Sequence, residues 1–207
     1  MAKLSFKYGA MNSGKSDTLI KTAYNYTEQG HDVITIKPGI DSKGGEDIVA
    51  RAGGRVAVNI LALPEMNIRE EIKLFVARQA LKNLQCVLVD EAQFLSEMQI
   101  DQLQEVTLFD DTSVIAYGLR TDFQRKMFPG SKRLFELANI IEKLPTMCRC
   151  AKQAEFNCRK IDGEYVFDGN QVAIDGNVAN EIDHSEVTYD SLCGTCYLDE
   201  QAKALAA

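Results

Sequence analysis

YGAMNSGKSDT, Tyr8–Thr18, decides how the rest of the chain is read. Gly9, four further residues, then Gly14, Lys15 and Ser16 match the pattern G-x-x-x-x-G-K-[ST]. Leu4, Phe6 and Tyr8 alternate before it as in a strand, and Leu19, Ile20, Ala23 and Tyr26 recur after it at helical spacing. Strand, loop, helix is the context the pattern needs. Glycines let the backbone curl so that successive N–H groups point at phosphate oxygens, and the following helix presents its positive N-terminal end. Lys15 would then neutralise β and γ phosphates, and the Ser16 hydroxyl would ligate Mg²⁺. The alternative is an ordinary turn in which Ser16 caps the helix.

Working outward, Gly30 is a helix stop and Asp32–Pro38 (DVITIKP) a second strand. A Gly-rich stretch covers 39–54. A long helix is expected from Pro64 and Glu65 through Ile72, Phe75, Val76 and Leu81, then a doubly buried strand in CVLVDEAQF, Cys86–Phe94. A helix near Ser96 to Leu108 and strands in TSVIAYGL (Thr112–Leu119) and NIIEKLP (Asn139–Pro145) complete the series. Alternating strands and helices predict an α/β fold, a doubly wound parallel sheet of the P-loop NTPase kind, over 1–146. From Met147 the texture turns to cysteines, glycines, acids and short strands without a long helical period, predicting a small second domain over 147–198. The segment from Asp175 to Tyr189 is polar enough to be mobile, and 199–207 is expected to be frayed or a short helix.

The chain has 207 residues and 45% hydrophobic content, enough for one core, with a net charge of −7. That charge argues against a surface built to neutralise a nucleic-acid backbone. No apolar run reaches the roughly 20 residues of a membrane span, and the opening residues lack the apolar core of a secretory signal. A cytoplasmic protein, with neither membrane nor nucleic acid as partner, is expected.

Asp90 and Glu91 follow an apolar strand, at the carboxyl edge where doubly wound sheets bind ligands. Asp90 is placed to hold Mg²⁺, and Glu91 to accept a proton from whatever attacks the γ-phosphate. A positioned water would make the protein an ATPase or GTPase and a substrate hydroxyl would make it a kinase; the two motifs alone leave both open. Cys148 and Cys150 form C-x-C, and Cys193 and Cys196 form C-x-x-C, a donor set for tetrahedral Zn²⁺ with unliganded thiols as the alternative. Cys86 reads as core and Cys158 as a spare thiol. His31 and His184 read as solvated, and Arg120 with Asp122 as a surface pair.

Taken together, GAMNSGKS (Gly9–Ser16), VLVDEAQFL (Val87–Leu95), YGLRTDF (Tyr117–Phe123), the paired cysteines and Tyr189 four residues before Cys193 resemble the cytosolic-type thymidine kinases, whose small second domain is a zinc-bearing lasso. The resemblance covers nearly the whole chain. It implies that Gly9, Ala10, Met11, Asn12, Ser13, Gly14, Lys15 and Ser16 cradle ATP, with Asp90 positioning Mg²⁺ and Asp41 on the phosphate side. It implies Glu91 as base on the 5′-hydroxyl of thymidine or deoxyuridine, and Met11, Phe94, Leu119 and Phe123 around the thymine ring. Gln171, Val172, Ala173, Ile174 and Asp175 would form the loop that reads the base by its backbone, with Tyr189 beside it and a structural Zn²⁺ on Cys148, Cys150, Cys193 and Cys196. A homotetramer inhibited by dTTP is implied as well. Two departures stand out. Relatives carry Asp-x-Arg where this chain has Asp41, Ser42 and Lys43, and the stretch 176–188 is longer and more acidic than the usual connection. The rival reading, a nucleic-acid-dependent ATPase suggested by Asp-Glu-Ala-Gln at a strand end, lacks the second motor domain and the basic track it requires.

Overall fold

Cys86, Val87, Leu88 and Val89 are all fully buried because β6 (Leu84–Val89) runs through the middle of a sheet covered on both faces. The computed structural model describes residues 1–40, 45, 47–171 and 186–206. They fall into two compact units: Met1–Tyr8, Gly14–Leu119 and Phe128–Leu144 in the first, and Gly9–Ser13, Arg120–Met127 and Pro145–Ala207 in the second. Asp41, Lys43, His184 and the stretch expected to be mobile, apart from its last residues, lie outside the described residues, as do Val172, Ala173, Ile174 and Asp175.

The first unit joins β6 to β1 (Leu4–Tyr8), β2 (Asp32–Pro38), β5 (Ile60–Ala62), β7 (Ser113–Gly118) and β8 (Ile140–Lys143) in the order β5-β2-β6-β7-β1-β8. Every pairing is parallel. Helices α1 (Lys15–Glu28), α2 (Ile68–Gln79), α3 (Glu97–Phe109) and α4 (Pro129–Leu137) supply the covering layers. Alternate residues of a strand point to opposite faces. Val87 and Val89 accordingly join the core that holds Ile68, Ile100 and Leu134, whereas Cys86 and Leu88 meet Leu19 and Ala23 of α1. The expected doubly wound sheet is present.

Several local readings change. The helix expected from Pro64 begins at Ile68, because the Asn67 side chain accepts the Glu70 backbone N–H and supplies the cap. It ends at Gln79, where Ala80 turns left-handed at φ 49°. The Gly-rich stretch contains a hairpin of β3 (Asp47–Val49) and β4 (Arg55–Ala57), with Gly53 at φ 95° accommodating the turn. Ser96 caps α3 through a full capping box with Gln99.

The second unit carries an antiparallel sheet of β9 (Phe156–Ile161), β10 (Glu164–Val166) and β11 (Val187–Leu192), in the order β10-β9-β11. Of the two readings of 199–207, frayed or a short helix, the helix is present: α5 (Gly194–Ala206) has 13 residues, starts within the segment expected to lack one, and is anchored by buried Tyr197, whose hydroxyl donates to the Phe123 carbonyl at 2.7 Å. The core is small: Cys148, Ala154, Cys158, Leu192, Cys193 and Tyr197.

Gly130 lets α4 approach the 3₁₀ turn Ala92–Phe94. A Cβ there would lie 2.6 Å from both the Ala92 and Leu95 carbonyl oxygens. Gly130→Ala is therefore expected to destabilise the protein by about 1–3 kcal/mol, read from urea denaturation. An unchanged midpoint would contradict so close an approach.

Candidate active site and metal centre

In the first unit, β6 and β1 are separated only by β7, which puts their carboxyl ends about 10 Å apart. That gap is bridged by side chains. Gly14, left-handed at φ 71°, opens α1, so Ser16 lies inside the helix and does not cap it. Its hydroxyl is free to donate to Asp90 Oδ2 at 3.1 Å.

Asp90 is only 4% exposed and its other oxygen, Oδ1, is buried without a hydrogen-bond partner. Among the described residues, one other buried side-chain polar atom is unpartnered: Ser13 Oγ, in the Gly9–Ser16 loop. Each such atom costs about 1–3 kcal/mol. Natural chains tolerate that cost where a ligand supplies the missing partner. Burial pushes the Asp90 carboxyl up to about 7, and neighbouring Glu91 adds to the rise. The Ser16 hydroxyl, the Glu91 backbone N–H and Lys15 oppose it. A cation would relieve both the charge and the unpartnered oxygen, so Ser16 and Asp90 fit Mg²⁺.

Lys15 is buried and begins α1, as the phosphate role requires. Glu91 follows Asp90 in a left-handed backbone conformation, φ 46°, which costs a non-glycine residue about 1–3 kcal/mol. Phe94 is half-buried and packs edge-to-face on Phe128 with centroids 5.6 Å apart. Leu119 is buried, and its carbonyl accepts the Ser131 hydroxyl.

In the second unit, both backbone polar groups of Met11 are held. Its N–H donates to Asn157 Oδ1 at 2.8 Å, and its carbonyl accepts Ser191 Oγ at 2.6 Å. Asn157 also donates to the Thr121 carbonyl, so β9 and β11 brace both Gly9–Ser13 and Arg120–Met127.

Phe123 is 1% exposed, with the Arg159 guanidinium 3.7 Å above its ring centroid. That face of the ring is therefore covered by Arg159. Arg159 Nε donates to the Tyr189 hydroxyl at 3.1 Å and its guanidinium also donates to the Gln171 carbonyl. Gln171 Nε2 reaches Asp122 Oδ2 at 3.0 Å. Asp122 is thus no surface partner of Arg120. It is buried, and its Oδ1 accepts the Gln124 and Lys126 backbone N–H groups at 2.8 Å each. Arg159, Asn157 and Ser191 were not singled out from the sequence, and no motif marks them; Asp122 lies in YGLRTDF but was read only as a surface pair with Arg120.

The four cysteines of the paired motifs meet. Their Sγ atoms all lie within 4.8 Å of one another, with Cys150 at 3.6 Å from both Cys148 and Cys193. Thiolates about 2.3 Å from a tetrahedral zinc stand about 3.8 Å apart, so the donor set fits that ion. Left-handed Ala151 closes the first turn, donating to the Cys148 carbonyl at 2.9 Å, and Cys193 immediately precedes α5. Burial pushes the Cys148 thiol up, but the backbone N–H groups of Cys150 and Cys193 outweigh it and hold it at about 6. Cys86 and Cys158 are fully buried and burial pushes both up to about 12, as core thiols.

A sequence profile of the family described as thymidine kinase matches residues 2–197. The chain belongs to the thymidine kinase family. Proteins named thymidine kinase from Mannheimia succiniciproducens and from Enterobacteria phage T4 are each 42% identical to it, over 86% and 84% of this chain and 90% and 89% of theirs. One from Coxiella burnetii is 40% identical over 86% of the chain and 90% of its own length. Membership explains why a phosphate loop, an acidic pair and a four-cysteine cluster occur in one chain. Among the described residues, no helix is long and apolar enough to cross a membrane.

Two outcomes are expected. Because the folded Asp90 carboxyl lies above its ordinary 3.8, its charge penalises folding fully above about pH 7 and not at all below 3.8. In metal-free protein, Asp90→Asn should raise stability by about 1–3 kcal/mol at pH 8, a gain that fades toward pH 4 in urea titrations. Cys193→Ser should leave well under one equivalent of zinc by elemental analysis; a full equivalent would contradict the four-thiolate site.

Proposed function

We propose that the protein transfers the γ-phosphoryl group of ATP to the 5′-hydroxyl of thymidine, and of deoxyuridine, giving the nucleoside monophosphate and ADP. The observation that carries this reading is the Ser16–Asp90 pair with its unpartnered Oδ1, in a chain of the thymidine kinase family. Gly9, Ala10, Met11, Asn12, Ser13, Gly14, Lys15 and Ser16 form the loop that curls around the phosphates, its backbone N–H groups other than those of Met11 and Ser13, which Asn157 Oδ1 and the Ala10 carbonyl accept, being donors to the phosphate oxygens, and the Lys15 ammonium pairs with the β and γ groups. Ser16 and Asp90 would hold Mg²⁺, which would supply neutralisation of the negative charge on the phosphates. The stretch with Asp41 takes the phosphate side.

Glu91 accepts the proton of the 5′-hydroxyl as that oxygen bonds to the γ-phosphorus and the bond to the ADP oxygen breaks. Met11, Phe94, Leu119 and Phe123 form apolar walls for the base. Gln171 to Asp175 read its polar edge through the backbone, with Tyr189 and Arg159 fixing the start of that segment. A site that reads a base with backbone donors and acceptors rejects analogues that leave those groups unpaired. Zn²⁺ on Cys148, Cys150, Cys193 and Cys196 is structural, since four protein thiolates leave no open position for substrate.

The family further supports a homotetramer and inhibition by dTTP, a molecule that offers thymine to one set of residues and a triphosphate to the other. The net charge of −7 supports the absence of a nucleic-acid partner, and thiols spaced for metal support a reducing, cytoplasmic location.

Glu91→Gln should retain ATP and thymidine binding by calorimetry while slowing thymidine phosphorylation by ~10²–10⁴-fold. Wild-type turnover in this variant would remove Glu91 from the mechanism.

A further inference from the structure

We infer that Gln93 is a positioning residue for phosphoryl transfer: its side-chain amide holds the Glu91 carboxylate in the orientation from which it takes the acceptor's proton. This deepens the proposed function and rests on Glu91 being the base.

Gln93 is 1% exposed, yet its side chain makes two directed hydrogen bonds. Oε1 accepts the Leu119 backbone N–H at 2.9 Å, and Nε2 donates to Glu91 Oε2 at 2.5 Å. The amide has only one workable orientation. A backbone N–H can only donate, so the Leu119 group selects Oε1, and the NH₂ end is left facing the carboxylate. A charge-assisted bond of that kind is short and directional.

The surroundings keep this arrangement in place. Gly118 leaves room for the amide, since a Cβ there would stand 2.8 Å from Gln93 Oε1 and 3.2 Å from the Gln93 backbone nitrogen. Leu119, which orients the amide through its N–H, is itself tied by its carbonyl to the buried Ser131 hydroxyl of α4. Gly130, on the same helix, sits against the carbonyls of Ala92, Gln93 and Leu95. At the other end Glu91 is fixed in its left-handed conformation, with its carbonyl accepting the Phe94 N–H at 3.1 Å. The backbone of Glu91 and the tip of its side chain are thus set independently. A glutamate side chain has three rotors, and the backbone alone does not choose where the carboxylate points. Gln93 makes that choice.

The test is steady-state kcat and KM for ATP and thymidine in wild type, Gln93→Met, Gln93→Glu, Gly118→Ala, Glu91→Gln and the double variant Glu91→Gln/Gln93→Met, each checked for folding by circular dichroism. Misplacing a catalytic group by an ångström costs up to ~10²-fold. Gln93→Met is therefore expected to lower kcat by about 10–100-fold with both KM values within about threefold of wild type. Gln93→Glu keeps the shape and the acceptor for the Leu119 N–H but has no donor once ionised, which burial beside Glu91 delays to higher pH, so its kcat, read up to pH 9, should fall in the same range at the alkaline end even if Gln93→Met fails to fold. Gly118→Ala, which leaves Gln93 in the chain but crowds its amide, should fall with them. The double variant should be no slower than Glu91→Gln alone, because Gln93 acts only through Glu91.

Wild-type kcat at the alkaline end in folded Gln93→Glu overturns the positioning role, as do additive losses in the double variant, and both leave Glu91 as base. Wild-type kcat in Glu91→Gln overturns the base reading itself, and the role of Gln93 with it.

Discussion

A carboxylate buried in the sheet edge with one oxygen satisfied and the other not is the constraint on which the first unit depends. Asp90 gains its place from β6, four of whose residues are fully buried, and its single side-chain partner from Ser16 of α1. That bond requires α1 to begin before Ser16, which the left-handed Gly14 accomplishes. It also requires β1 and β6 to lie two strands apart, the spacing set by β7 between them. An isolated fold would gain stability by neutralising Asp90. The raised carboxyl and its orphaned oxygen are what a cation bound there, as proposed, would relieve.

The second unit solves a different problem with different means. Among the described residues its core of six buried side chains is too small to fix polar loops by burial alone. Two cysteine turns and directed hydrogen bonds take over. Cys193 lies between β11 and α5, and β11 carries Ser191, which holds the Met11 carbonyl. The cysteine cluster therefore lies at the end of the strand that holds Met11, and Arg159 links Phe123, Tyr189 and Gln171.

The fold was legible wherever a period was long enough to read. β1, α1, β2, β6, α3 and β7 follow from alternation, helical spacing and continuous apolar runs. β5, three residues long, has no period at all, and the start of α2 was misplaced because Asn67 outcompetes Pro64 as a stop for the preceding loop. The candidate phosphate residues and the cysteine cluster were legible for a related reason: Gly9 to Ser16, Asp90, Glu91 and the four cysteines stand in short motifs of fixed local spacing. Asn157, Arg159, Ser191, Asp122 and Gln93 act through partners between two and 180 positions away, and apart from the short reaches from Gln93 to Glu91 and from Asp122 to Gln124 and Lys126 no local pattern encodes such contacts. The start of α5 was missed because its first turn carries Cys196 of the second cysteine pair, whose spacing reads as a metal turn before it reads as a helix.

The central claim is that a nucleoside hydroxyl, not water, receives the phosphoryl group. It is tested most directly by product analysis with Mg²⁺, ATP and, in separate reactions, thymidine, deoxyuridine, deoxycytidine and deoxyadenosine. The account predicts thymidine and deoxyuridine monophosphates formed in step with ADP, little free phosphate, and no product from the other two nucleosides. Phosphate release with no nucleoside monophosphate would contradict it, leaving a site that activates water.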